Sequence, residues 1–215
     1  MCYNPESKSL KRPYGRREQI YFPPCRSFSA GGLKGTFMKI LIASDIHGSK
    51  TSTKLLLEAF ESANADVLLI LGDILYHGPR NDLPEGYAPK EVASLLNGYK
   101  DKIISVRGNC EAEVDQMMLE FPALVEACHI IDGENRIFAC HGHKKELMSC
   151  TARGAFVLSG HTHVPLCEER EGRVYINPGS VSIPKEGSSK SYILYEDGVF
   201  TWYSLTSGEA YLIYG

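Results

Sequence analysis

From Met38 onward, short apolar runs bounded by turn residues alternate with stretches whose apolar positions recur at helical spacing. The run over residues 40–43 predicts a buried strand, and residues 51–63 predict a helix with Leu55, Leu56, Ala59 and Phe60 on one face. Residues 67–71 predict a second strand, closed by a turn at Gly72 and Asp73. A second helix follows over 89–99, with Pro89 in its first turn, and a third strand over 102–106 ends at Arg107, Gly108 and Asn109. This is a βαβαβ unit, an arrangement that favours parallel strands joined by right-handed crossovers.

After a helix expected at 113–120 the pattern changes to short strands separated by turns, at 136–140, 156–159, 174–176, 192–195 and 199–205. Asp197-Gly198 is a hairpin signal between the last two. The expected class is α/β, with two packed mixed β-sheets flanked by helices, the second half supplying a second, more antiparallel sheet.

Composition narrows the class. A chain of 215 residues with 43% hydrophobic and 23% charged residues can bury one substantial core. The net charge of -3 gives no broad basic field for gathering nucleic-acid phosphates, so no stable nucleic-acid partner is expected. No run approaches the length needed to span a bilayer, so no membrane partner is expected either. Seven cysteines without CxxC pairs read as reduced thiols of a cytoplasmic protein. Charge is uneven: residues 1–37 hold seven basic and two acidic side chains, leaving 16 basic and 24 acidic over 38–215. The first segment lacks an apolar period and reads as a disordered basic arm, with Met38 an alternative native start. Residues 38–215 are expected to form one folded domain.

The chemistry lies in five polar clusters at the ends of the strand-like runs: Asp45-Ile46-His47, Gly72-Asp73, Gly108-Asn109-Cys110-Glu111, His141-Gly142-His143 and Gly160-His161-Thr162-His163. In an extended backbone, residues two apart share a face, so Asp45 with His47 and His161 with His163 can aim into one cleft. Carboxylate, imidazole and amide donors suit Mn, Fe or Zn better than a thiolate site would. Asp45, His47 and His163 are assigned to one cation, and Asn109, His141 and His161 to another, with Asp73 bridging. Such a pair can clamp a phosphate and lower the pKa of a bridging water to give the attacking hydroxide.

Taken in order, Asp-x-His, Gly-Asp, Gly-Asn-x-Glu, His-Gly and Gly-His-x-His resemble the signature of the calcineurin-like metallophosphoesterases, and the resemblance covers residues 38–215. The segments ASDIHGS, VRGNCEAEVDQM, SGHTHVP and INPGSVSIPK are similar to its small bacterial phosphodiesterases. The resemblance implies a small phosphodiester substrate, two divalent ions with Mn²⁺ favoured over Ni²⁺, Zn²⁺ or Fe²⁺, and a homodimer or homotetramer. It also implies catalytic roles for Asn109, Cys110 and His143.

Many family members carry His where this chain has Cys110, and a thiol is a poorer proton donor to a leaving alkoxide than an imidazolium. For His77 and His143, substrate contact and hydrogen bonding behind the ligands are both open. Arg80 and Arg107 are candidates for phosphate contact or for ordinary ion pairs. A phosphomonoesterase on the same site and a non-catalytic scaffold of the same fold are the alternatives.

Overall fold

The structure is a computed structural model describing residues 38–215; the arm expected over 1–37 lies outside the described residues. Its first half follows the predicted unit: β1 (Ile40–Ala43), α1 (Lys50–Ser62), β2 (Val67–Ile70), α2 (Pro89–Asn97), β3 (Ile103–Ser105) and α3 (Glu113–Met118). The three strands pair in parallel, with Ile40 opposite Val67 and Leu68 opposite Ile103. Alternation along β1 sends Leu41 and Ala43 toward α1 and α2, where Leu56, Phe60, Val92 and Leu96 cover them. Ile40 and Ile42 face the other way, into a core shared with the second sheet. Ser49 caps α1, its Oγ accepting from the Ser52 N–H at 3.2 Å.

The remaining elements are β4 (Ala127–Asp132), β5 (Asn135–Cys140), α4 (Lys145–Ser149), β6 (Phe156–Leu158), β7 (Pro165–Arg170), β8 (Arg173–Pro178), β9 (Ser191–Glu196), β10 (Val199–Ser204) and β11 (Ala210–Tyr214). The second sheet runs β4-β5-β6-β8-β7, with β5, β6 and β8 parallel and both edges antiparallel.

Here the structure departs from the expectation that the whole second half forms a separate sheet. Strands β9, β10 and β11 extend the first sheet instead, in the order β11-β10-β9-β1-β2-β3, with β9 antiparallel to β1. The reason is two-sided burial. Ile193 and Tyr195 of β9 enter the core between the sheets, while Tyr192 enters the core beneath the helices. A strand buried on both faces belongs in a sheet covered on both faces, as the first sheet is by α1 and α2 on one side and the second sheet on the other.

Between the sheets, Ile42, Leu69 and Leu71 meet Ile137, Ala139, Leu158 and Ile176, with Trp202 fully buried among them. The indole N–H of Trp202 donates to the Asn177 carbonyl at 2.8 Å, which satisfies its polar end. No helix among the described residues is long and apolar enough to cross a membrane. The architecture leaves the carboxyl ends of β1, β2, β3, β5 and β6 as the place where the five polar clusters emerge.

Candidate metal centre

Each cluster sits in the loop that leaves one of these strands: Asp45 and His47 after β1, Asp73 after β2, Asn109 after β3, His141 after β5, His161 and His163 after β6. The backbone that presents them is not extended. Asp45, His47, Asp73, His161 and His163 all adopt left-handed φ values between 49° and 67°. Non-glycine residues rarely occupy this region, and holding one there costs about 1–3 kcal/mol. The expectation that residues two apart share a strand face is therefore corrected: the pairs converge because tight turns curl them inward.

A dense set of buried bonds holds those turns. The β1 loop is stitched to the β2 loop through N–H donation from Asp45 to the Gly72 carbonyl (3.2 Å) and from His47 to the Asp73 carbonyl (2.9 Å). Ser180 and Ser182 both donate their hydroxyls to the Asp45 carbonyl at 2.8 Å. The Ser44 hydroxyl donates to Asp45 Oδ2 at 2.7 Å, and the His161 N–H donates to the same oxygen at 3.0 Å. Gly160 must lack a side chain, because a Cβ there would strike the Ser44 hydroxyl and lie 2.9 Å from Asp45 Oδ2.

Glu111 does the corresponding work for Asp73. Its carboxylate is 4% exposed and accepts the N–H groups of Asp73 (3.0 Å), Ile74 (2.6 Å) and Gly108. Burial, reinforced by the neighbouring Asp73 charge, raises its pKa to about 7 against the pull of those N–H donors. The sequence points to Gly179-Ser180 as a segment shaping a loop near the cations or as an ordinary turn, and Ser180 does hold the Asp45 turn; Glu111, Ser44 and Ser182 are not singled out as individual residues. The Gly-Asn-x-Glu spacing is the signal for Glu111, but its targets lie on a different loop.

The side-chain atoms that meet in the middle are nearly all acceptors. His47 Nδ1 lies 2.8 Å from the Tyr76 carbonyl, His141 Nδ1 2.6 Å from the Leu71 carbonyl and His163 Nδ1 2.6 Å from the Ile183 carbonyl. A carbonyl only accepts, so each Nδ1 carries the donated hydrogen and each neutral ring turns a bare Nε2 inward. Nε2 of His47 and Nε2 of His163 face each other at 3.2 Å, and Asp45 Oδ1 is 3.3 Å from His163 Nε2 and 3.7 Å from His47 Nε2. Asp45 Oδ1 is fully buried without a hydrogen-bond partner.

Alongside, His141 Nε2 lies 3.1 Å from Asn109 Oδ1 and 3.4 Å from Asp73 Oδ2. The same Asp73 oxygen is 3.7 Å from His47 Nε2, so Asp73 stands between the two groups. Asp45-His47-His163 and Asp45-Asp73-His141 each bring their ligand-type atoms within 4.8 Å of one another. Lone pairs crowded this closely, with a buried orphan oxygen among them, fit positive charge at their centre.

Protons supply that charge when nothing else does. Burial opposes ionisation of Asp45, yet His163 and His47 hold its carboxyl far below the ordinary carboxylate range. Burial works against a charge on His141 too, but Asp73 and Asp45 outweigh it and push the imidazole up to about 9. His47 rises in the same direction, against its burial, through Asp45 and the Tyr76 carbonyl.

The other predicted residues fall at varying distances. His161 belongs to none of the converging groups; its ring centroid is 5.1 Å from that of His141. His143 completes an imidazole cluster, 5.4 Å from His141 and 6.2 Å from His161, with a buried Nδ1 that has no partner. Burial and the positive charge of His141 lower its pKa, which favours the neutral ring. Cys110 donates its backbone N–H to Asp73 Oδ1 at 2.9 Å, and its thiol groups with His47 and Asp73. Burial and the Asp73 charge push that thiol well above its ordinary range.

Arg107 is turned toward Glu126 at 3.7 Å and donates to the Glu111 carbonyl at 3.3 Å. His77 is held edge-on between Tyr76 and Tyr87, with centroids at 4.7 and 5.3 Å. Arg80 is exposed in the β2–α2 loop and makes no ion pair with a described residue.

Comparison with known proteins shows the family. Residues 38–197 match the calcineurin-like phosphoesterase superfamily domain. The chain is 46% identical over 166 residues to phosphodiesterase YfcE of Escherichia coli K12, covering 76% of this chain and 90% of that protein. The probable metallophosphoesterase YsnB of Bacillus subtilis is 27% identical over 166 residues, covering 73% and 83%. The solved structure of the E. coli phosphoesterase YfcE superposes with a TM-score of 0.79 at 43% identity, covering 82% of this chain and 98% of that one. Vps29 of Entamoeba histolytica shares the fold at a TM-score of 0.56 and 21% identity, covering 80% and 96%. With the family domain matched over most of its length and its polar clusters gathered at one end of paired sheets, the chain belongs to the calcineurin-like metallophosphoesterases.

Proposed function

We propose that this protein is a phosphodiesterase acting on a small phosphodiester at a pair of divalent cations. The observation that carries the reading is the convergence of bare imidazole nitrogens and carboxylate oxygens around the orphaned Asp45 Oδ1. Asp45, His47 and His163 would hold one cation and Asn109, His141 and His161 the other, with Asp73 the carboxylate between them. When bound, the cations polarise the phosphate and lower the pKa of a water. Nitrogen and oxygen donors of this kind suit Mn²⁺, with Ni²⁺, Zn²⁺ and Fe²⁺ as competitors.

The chain's own groups then determine what can react. His143, beside His141 and His161 and with its pKa lowered toward the neutral form, can exchange a hydrogen bond with a phosphate oxygen. Cys110 keeps its proton and offers no charged acid for a basic leaving alkoxide. That favours diesters with good leaving groups over monoesters. The 46% identity to a protein named as a phosphodiesterase supports the same side. Assembly as a homodimer or homotetramer belongs to this reading and is read by light scattering.

The test is hydrolysis of bis-p-nitrophenyl phosphate and of p-nitrophenyl phosphate by chelator-stripped protein, before and after Mn²⁺ is restored. Restored diester cleavage exceeding monoester cleavage is expected. Faster monoester cleavage would replace this reading with the phosphomonoesterase, and no cleavage with any of the four metals would favour a scaffold.

A further inference from the structure

A cleft of about 360 Å³ opens beside the cation ligands, between the β2–α2 loop and α3. Its walls are continuous with the ligand loops. Leu75 and Tyr76 directly follow the Asp73 turn, and the Tyr76 carbonyl is the group that orients His47. Cys110, in the same wall, lies against Asp73 and His47. A phosphate held at the ligand cluster has this cleft beside it to receive one ester arm.

The lining is apolar and flat-faced: Leu75, Tyr76, Tyr87 and Met118, with Lys90 at the rim. Tyr76 is 41% exposed and Met118 42% exposed, so both present apolar surface to the cleft. Asp115 also borders the cleft, but its carboxylate is already accepting the Ala112 N–H at 2.7 Å. The exposed lining is nonetheless mostly carbon, so a polyol arm would exchange most of its hydrogen bonds to water for apolar contact on entering. An aromatic ring loses none, gains ring and thioether contacts with the tyrosines and Met118, and presents a face to the Lys90 ammonium. A volume of this size accommodates such a group.

We propose that this cleft is the subsite for one ester arm of the substrate, and that the arm carries an aromatic ring. The proposal rests on the phosphodiesterase reading and narrows its substrate class to aryl or heteroaryl phosphodiesters.

The experiment measures binding of diphenyl phosphate and of dimethyl phosphate to Mn²⁺-loaded protein by competition calorimetry, in wild type and in a double variant of two cleft-lining residues of α3, Val114→Ala/Met118→Ala. Both side chains are substantially exposed, so the fold survives their truncation. Wild type is expected to bind the diphenyl compound at least roughly tenfold more tightly. The double variant is expected to bring that preference below about threefold while dimethyl phosphate binding stays unchanged. Equal binding of both compounds by wild type, or an undiminished preference in the variant, would overturn the aromatic subsite. If Mn²⁺-loaded protein cleaves bis-p-nitrophenyl phosphate yet shows no aromatic preference, only this inference falls; if it neither binds nor cleaves any diester, the phosphodiesterase reading falls with it.

Discussion

The ligand loops and the α3 rim lie side by side at the same end of the molecule, yet they are built on opposite terms. In the loops, Asp45, His47, Asp73 and His163 are buried to 2% exposure or less and curled into left-handed turns. Each is fixed by buried hydrogen bonds from another segment. On the rim, Val114, Met117 and Met118 are 60%, 83% and 42% exposed, and none is locked by a polar network. Chemistry that needs several donors at set positions is held by strain and buried polarity, whereas the neighbouring surface is shaped by exposed apolar side chains that can change without disturbing the fold.

That contrast is broken most severely at Asp73, the carboxylate standing between the two groups. Asp73→Asn should lower kcat/KM for bis-p-nitrophenyl phosphate by about 10³-fold, with circular dichroism unchanged. A tenfold loss or less would mean that Asp73 does not reach both halves of the site.

Protons and cations compete for the same lone pairs, which gives the second effect. In the metal-free protein the His141 pKa is raised from 6.5 to about 9, so its contribution to stability is complete below pH 6.5 and fades as pH rises through 9. A divalent cation must displace that proton. Apparent Mn²⁺ affinity should therefore climb by about tenfold per pH unit across this window, with protons released on binding. Calorimetry in buffers of differing ionisation enthalpy measures both; an affinity flat in pH would contradict the raised imidazole.

Glu111 tests whether the turns matter apart from the ligands they carry. In Glu111→Gln one carboxylate oxygen becomes an NH₂ group and confronts backbone N–H groups it cannot accept from. Mn²⁺ affinity should fall by about 10–100-fold, while Glu111→Asp recovers part of it. An unchanged affinity would show that the Asp73 turn holds itself. At the small end, Met117→Ala on the rim should shift unfolding free energy by no more than about 0.5 kcal/mol and leave turnover intact.

The same contrast governs what the amino-acid order reveals. The βαβαβ core was legible because strands buried on both faces must be continuous apolar runs, as Ile40 to Ala43 are. Strands β4, β7 and β11 were not, and all three are sheet edges. There one face is free to be polar, as Glu168, Glu169 and Arg170 are in β7, and the exposed Ile131 blurs the alternation of β4. The five polar clusters stood out as motifs, but the left-handed turns that aim them did not, since Asp and His, though enriched at positive φ, occupy it in only a small fraction of cases. Nor could spacing show that Glu111 reaches the backbone of Asp73 and Ile74, because that bond joins loops separated by α2 and β3.

The most direct test of the account is the metal content of the protein after equilibration with Mn²⁺ and gel filtration, measured by atomic emission. Two ions per chain are predicted for wild type, falling to one when Asp45 is replaced by Ala and to none when Asp73 is. A single ion per chain in wild type, or a content indifferent to both substitutions, would contradict the paired site on which the proposed chemistry rests.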